Sequence, residues 1–503
     1  MKPKAGFLSL AEEVQLYILI LLPYRDILRC SSVCKALRQT YLSYSELQYI
    51  VELGGQQLLH VPDINPEHRI SVSQRLQLLR NRAHAWFKLD VHTCTTIFIP
   101  DQCRYSRTSS IRGVANGHLC LWDTNPDAHT FDMFMDPAQN LIAVAYSVTD
   151  HDPNWGDAEM FYIDLIALDG GGVHPQAAGH TLFLSELTGY DVIKTDPDDI
   201  KLEGFGKHIA FWRTVEMLDA NNDFHNMWEL QIWDWQHSTT SSCVLADDIG
   251  PLYDCSADFC FLGNDRLLVF SHKLKLYSIE DTTQAPQLLA CFLLPISAMN
   301  IGCTCILPME DSLQPPMQAQ QKMWTSDPQH QLFILSLESF CSTLLFIIST
   351  TMFFNLDFSE EMPAEILWDD WGPSNSRAFQ NHMHQRIGVS GNRVLQACPV
   401  DGTTDEQDHP MEYRFHAMDF SPLAIERRQG VGRVVKEPST IIIETPDSPP
   451  QVALTTNLPY VELVSDGTFS YPFDGIWIDK DAVYLSRYEF QIELIEITPR
   501  AAD

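Results

Sequence analysis

A chain whose apolar strands keep recurring has few ways to fold, and here they recur from about residue 110 to the end. The runs NGHLCLWD (116–123), NLIAVAYS (140–147), GKHIAFWR (206–213), MWELQIWDWQHS (227–238), SGNRVLQACPV (390–400), EYRFHAMDFS (412–421) and FDGIWIDKDAVYLSRYEFQIELIEITP (473–499) share one plan. A Gly or Asn turn leads into a short apolar strand, a polar connection follows, and a second strand ends in Asp or Glu. Twice the ending is Trp-Asp, at Trp122-Asp123 and Trp233-Asp234. A lone hairpin of this kind cannot bury both of its faces, whereas radially stacked units shield one another and leave only short edges. At roughly 40–50 residues per unit, residues 111–503 predict a degenerate β-propeller of about seven or eight blades. A pair of all-β sandwiches is the alternative. Polar inserts such as 312–328 and 401–410 belong on loops.

One run tests this reading. LFILSLESFCSTLLFIISTTMFF (332–354) is long enough to span a bilayer, yet Glu338 interrupts it and Asp357, Glu360 and Glu361 follow it. Splitting it at Glu338–Ser339 gives two apolar strands of blade length, and paired buried strands are the expectation.

The first forty residues have a different period. Ser9-Leu10-Ala11-Glu12 has a capping-box pattern, and Leu10, Val14, Tyr17, Ile18 and Leu21 fall on one helical face. Leu16, Leu19 and Ile20 cover a second face. Pro23 ends this helix, and Asp26 is the expected N-cap of the next, whose stripe is Ile27, Cys30, Cys34, Leu37 and Tyr41. Two short helices cannot bury two apolar faces each against one another, so the extra face needs another partner: the rest of the chain or a different protein. Lys2 and Lys4 precede the apolar run Leu16–Leu22, but Glu12 and Glu13 interrupt the approach to it and no small-residue cleavage site follows, which argues against a secretory signal.

The stretch LAEEVQLYILILLPYRDILRCSSVCKALRQTY resembles an F-box, with Leu10, Glu12, Glu13, Val14, Ile18, Leu22, Pro23, Arg25, Asp26, Leu28, Val33, Cys34 and Lys35 in register. Ala11 stands where the family usually has Pro, and Leu37 where it usually has an aromatic. The resemblance implies docking on Skp1, the acidic adaptor of SCF-type cullin–RING ubiquitin ligases. By position, the implied contacts are Leu10, Val14, Ile18, Leu22, Pro23, Leu28, Val33, Cys34 and Leu37. The fold class is then α+β by segments: a helical F-box (1–50), a helical linker (51–110) and an all-β, propeller-like domain (111–503) that binds a protein target.

Within the linker, SVSQRLQLLRNRAHAWFKLD (71–90) places Val72, Leu76, Leu79, Ala83 and Trp86 on one helical face, with Arg75, Arg80 and Arg82 expected on the open side. The favoured role is a rigid connector. Its Leu-x-x-Arg-x-x-Ala-Trp spacing also resembles a group of basidiomycete F-box proteins.

Charge narrows the partners. The 503 residues hold 33 Lys and Arg against 66 Asp and Glu, which disfavours nucleic acid or an anionic membrane as the main partner. Residues 1–110 nevertheless hold 13 basic and 9 acidic residues, a mild excess of four that suits an acidic partner. The 13 cysteines form no framework, which fits reduced thiols and a cytoplasmic or nuclear setting. No Gly-x-Ser-x-Gly, P-loop or His-Glu-x-x-His occurs. CTC (303–305) and HMH (382–384) lack companion ligands at zinc spacing, and GVGRVV (430–435) lacks the third glycine of a dinucleotide loop. WDDW (368–371) is expected as an exposed turn. The expectation is therefore a non-catalytic receptor without cofactors. The alternatives are a propeller enzyme or lectin with structural N-terminal helices, and a Skp1-binding scaffold outside any ligase.

Overall fold

In the computed structural model, the structure describes residues 6–497 apart from 62–69, 89–93, 99–110, 116–117, 122–128, 153–155, 186–189, 220–222, 250–256, 272, 296–301, 307–322, 339–342, 357–363, 382–385, 401–411, 428–431, 445–450, 470–472, 480–481 and 488–490. Trp122-Asp123 and HMH lie outside the described residues.

The β region is a ring of six blades. Blade I runs His129–Asp136, Leu141–Asp152, Gly156–Ala167 and Thr181–Phe183. Blade II runs Tyr190–Phe205, His208–Asp219, Phe224–Asp234 and Cys243–Asp248. Blade III holds Asp258–Phe261, Arg266–Ser271, Lys273–Ser278 and Gln287–Phe292, with Ala364–Ile366 added in parallel on its outer edge. Blade IV holds Gly302–Ile306, Leu332–Glu338, Thr343–Ser349 and Ser376–Asn381. Blade V holds Arg386–Ser390, Arg393–Pro399, Tyr413–Asp419 and Tyr460–Val464, edged by Arg433–Val435.

Blade VI closes the ring with strands from both parts of the chain. Phe473–Asp479, Ala482–Arg487 and Gln491–Glu496 are joined by Cys94–Phe98, which comes from the segment read as linker. A two-stranded hairpin, Ile111–Ala115 with His118–Leu121, lies against the innermost strands of blades VI and I.

Six blades replace the expected seven or eight. Several blades are longer than the assumed unit; blade II alone extends from Tyr190 to Asp248. Blade V also carries an inserted hairpin, Ser439–Glu444 with Gln451–Thr456. The strand pairing itself follows the sequence pattern, for example Arg393–Pro399 against Tyr413–Asp419.

The cores explain why the strands are apolar nearly throughout. Side chains alternate between the two faces of a strand, and blades II to V are covered on both faces. Ile209 and Phe211 of blade II pack with Phe161 and Ile163 of blade I. Their neighbours Ala210 and Trp212 pack with Phe259 and Val269 of blade III. The bilayer-length run divides in the same way. Leu332–Glu338 and Thr343–Ser349 are an antiparallel pair whose Phe333, Leu335 and Phe346 face blade III. Leu332, Ile334 and Ile347 face blade V. No described helix is long and apolar enough to cross a membrane.

One side-chain expectation fails here. WDDW starts a helix, Trp368–Asn375, whose Trp368 and Trp371 are buried in the core between blades III and IV, leaving only Asp369 and Asp370 outside. The tryptophans recur at i and i+3, the spacing that puts both on one helical face.

Candidate partner-binding surface

Four helices form the N-terminal module: α1 (Glu12–Ile20), α2 (Tyr24–Val33), α3 (Lys35–Ser43) and α4 (Ser45–Gly55). Their starts differ from the capping pattern in the sequence. Ser9 sits in a 3-10 turn and its hydroxyl donates to the Gly6 carbonyl at 2.6 Å, so α1 begins after Ala11 with no side-chain cap. Pro23 precedes the first residue of α2, where its fixed φ suits the helix start. Asp26 therefore lies one turn inside and accepts from Arg29 at 2.7 Å. The acidic residues Glu12, Glu13 and Asp26 in the first turns favour the helix dipoles.

The module has its own core, made of Leu19, Ile27, Leu37, Tyr41, Leu47 and Val51. Gly54 of α4 lets the Tyr24 ring lie directly on the backbone, where any Cβ would collide with it. This core uses one face of α1. The other face is uncovered: Leu10, Val14, Tyr17, Ile18 and Leu21 are all exposed, Tyr17 at 69% and Leu21 at 70%. Leu8, Ile20, Val33 and Leu42 of the same module are exposed as well. Nine of the 22 large hydrophobics exposed among the described residues lie between Leu8 and Leu42.

The nine residues implied by the F-box register divide into three groups. Leu10, Val14, Ile18, Pro23 and Val33 are exposed. Leu22, Leu28 and Cys34 are half-buried against the module core. Leu37 belongs to that core, at 8% exposure, because α3 turns it toward Ile27 and Leu47. The register omitted Tyr17 and Leu21, although the helical periodicity had placed both on the open face. Ile20, which the periodicity grouped with Leu16 and Leu19 on the second face, is exposed while Leu19 is buried. Leu8 and Leu42 were missed by both arguments; an isolated apolar residue at a helix end carries no periodic signal. Lys35 and Arg38 are exposed beside the patch.

The module is fixed firmly to the ring. α4 packs along α5 (Val72–Ala85), where Tyr49 and Leu53 meet Leu76 and Leu79. Ser71 and Gln74 close a true capping box at the start of α5. Trp86 and Phe87, just beyond α5, are buried between blades V and VI with Leu395, Phe415 and Ile478. The Arg393 guanidinium lies 5.3 Å from the Trp86 ring centre. Leu58–His60 adds a strand against Trp324–Ser326. Gly55 lies on Leu423, and a Cβ there would come within 2.9 Å of the Leu423 Cβ.

The arginines of α5 were expected on the open side, but Arg75 is buried and its Nε donates to the Ile70 carbonyl at 3.2 Å. Arg80 reaches across to α4, 3.4 Å from a Glu52 carboxylate oxygen and 3.0 Å from the Gln48 amide oxygen. These polar contacts tie α4 to α5 alongside the apolar packing.

Several of the ring's charges are paired. Arg213 holds Glu229 through two bonds of 2.6 and 2.8 Å. Lys201 sits 2.7 Å from Asp258 and 2.8 Å from Glu203. Burial opposes the Lys201 charge, but the two carboxylates overcome it and hold its pKa well above the ordinary lysine value. Such paired clusters order a core. Among the described residues no group of three His, Cys, Asp or Glu is arranged to hold a metal ion. Cys303 and Cys305 lie on the inner strand of blade IV.

Comparison with known proteins agrees with the helical module. Residues 7–40 match the F-box domain. No curated protein matches the chain. Among solved structures, the crystal structure of the WD40 domain of SCAP from fission yeast aligns at 5% identity and a TM-score of 0.24, over 74% of this chain and 97% of that one.

Proposed function

We propose that this chain, an F-box domain at residues 7–40 carried on a six-bladed β-propeller, is the substrate receptor of an SCF-type ubiquitin ligase. One observation carries the reading: the F-box helices keep an apolar face open after making their own core. Burying a side chain of this size contributes roughly 1.5–3 kcal/mol, so a partner covering several of them has a substantial driving force. Skp1 is the partner the family implies, and a cullin joins through it. Leu10, Val14, Tyr17, Ile18, Leu21, Pro23 and Val33 are the proposed contacts, with Leu22, Leu28 and Cys34 beneath them. Leu37 supports these contacts from behind.

The propeller binds a protein target, and the chain itself does no chemistry. Its contribution is effective concentration: the fixed joint at α5 and Trp86 holds the target at a set distance from the ubiquitin-loaded enzyme. A cytoplasmic or nuclear setting follows from this role. Co-purification tests it. The full chain recovers Skp1, and cullin through Skp1, whereas the Val14→Asp/Leu21→Asp variant recovers neither. Absence of Skp1 from the wild-type complex, or equal recovery by the variant, refutes the proposal.

A further inference from the structure

A cleft of about 640 Å³ opens where the helical module meets blades IV and V. That volume lies within the usual range for ligand sites, roughly 300–1,000 Å³. Arg25 and Gln57 line it from the helical side, and Asn355, Lys436, Asn457 and Phe420 line it from the ring.

Three features point to what it holds. The first is carboxamide chemistry. The side chains of Gln57, Asn355 and Asn457 have no hydrogen-bond partner among the described residues. Each offers both donors and an acceptor, the complement of an extended peptide backbone.

The second is charge. Arg25 and Lys436 have no carboxylate partner among the described residues, in a chain with 66 acidic side chains for 33 basic ones. Several cations elsewhere are paired, as Lys207 with Asp234, Lys275 with Asp247 and Arg433 with Glu462. Glu426 also lines the cleft but forms no ion pair with either cation. The net acidity of the chain does not cancel this local excess, because salt screens charges beyond about 8 Å.

The third is backbone conformation. Gln57 has φ +57, in the left-handed region just past the end of α4. Glycine is the residue that fits such a position without strain. Here the position is a glutamine that lines the cleft.

We propose that this cleft seats a short acidic peptide segment of the target, with the carboxamides on its backbone and Arg25 and Lys436 on its carboxylates. This rests on the reading of the chain as a target receptor, and it places recognition at the joint between the two modules. The test uses the full chain with fluorescent hexapeptide pools, each with one position fixed as Asp, Glu, Lys or Ala. Asp and Glu pools should bind at least five-fold more tightly than Lys pools, and Lys436→Glu should reverse that order. Gln57→Gly should weaken every pool several-fold while the melting temperature stays level or rises, since glycine relieves the positive φ. Equal binding of all pools, preference for Lys, or an unchanged order in Lys436→Glu overturns the cleft assignment. A chain that recovers Skp1 but fails these pools loses the cleft alone; one that binds acidic pools but not Skp1 loses the ligase role alone.

Discussion

The ring and the F-box helices treat apolar surface in opposite ways. In the ring, blades II to V are covered on both faces by their neighbours, so a residue and the next along the strand both enter a core, as Ile209 and Ala210 do. In the helical module the core uses one side of α1, and Val14, Tyr17 and Leu21 remain outside. A closed ring has no end at which apolar faces are left over, whereas a small helical module has more apolar faces than neighbours. Apolar surface left open on the second kind of structure is therefore the more informative sign of a partner.

The contrast can be broken by substitution. The largest effect is expected in the ring: Phe346→Ala, fully buried between blades III and IV, should cost about 3–5 kcal/mol in urea unfolding. Within the helices, Ile27→Ala should cost roughly 2–5 kcal/mol, because Ile27 is 1% exposed in the module core. A loss below about 1 kcal/mol at either position would mean that these cores are not packed as described.

A pH effect comes next, and it belongs to the ring. His208 is fully buried, stacked on Phe261, with no hydrogen-bond partner for either ring nitrogen among the described residues. Burial lowers its pKa to about 4, with Lys207 adding to the shift and Asp234 opposing it. The unfolded chain takes up this proton near pH 6.5 and the folded chain only near pH 4, so stability is lost as pH falls through that window. The loss from this residue should reach roughly 2 kcal/mol by pH 5. His208→Phe should show a shallower decline between pH 7 and pH 5 in the same unfolding measurement, and an unchanged slope would exclude the residue as its source. The smallest effect is expected at the open face, where Leu21→Ala should change stability by no more than about 0.5 kcal/mol.

The same contrast sets how much was legible in the sequence. Turn residues and continuous apolar strands revealed a ring, because burial on both faces removes polar alternation from the strands themselves. The blade count was not legible: the long strands of blade II and the inserted hairpin of blade V break any fixed period. Helical spacing found the open face of α1, but not which member of the F-box register turns inward, since Leu37 is placed by the angle between α2 and α3. Ser9 and Asp26 had the right residue types for caps, yet Pro23 and the 3-10 turn at Phe7–Ser9 set the helix starts elsewhere. Arg75 shows the same limit, because a long side chain on the polar side of a helix is buried once a neighbouring segment such as Leu58–His60 crosses over it. The junction cleft left no sequence signal, since its walls come from residues as far apart as Arg25 and Asn457.

Hydrogen–deuterium exchange of the full chain, with and without Skp1, tests the central claim most directly. Skp1 should slow exchange in residues 10–34 and leave the strands of blades I to VI unchanged. No added protection in those helices, or protection confined to the ring, would contradict an F-box face completed by another subunit.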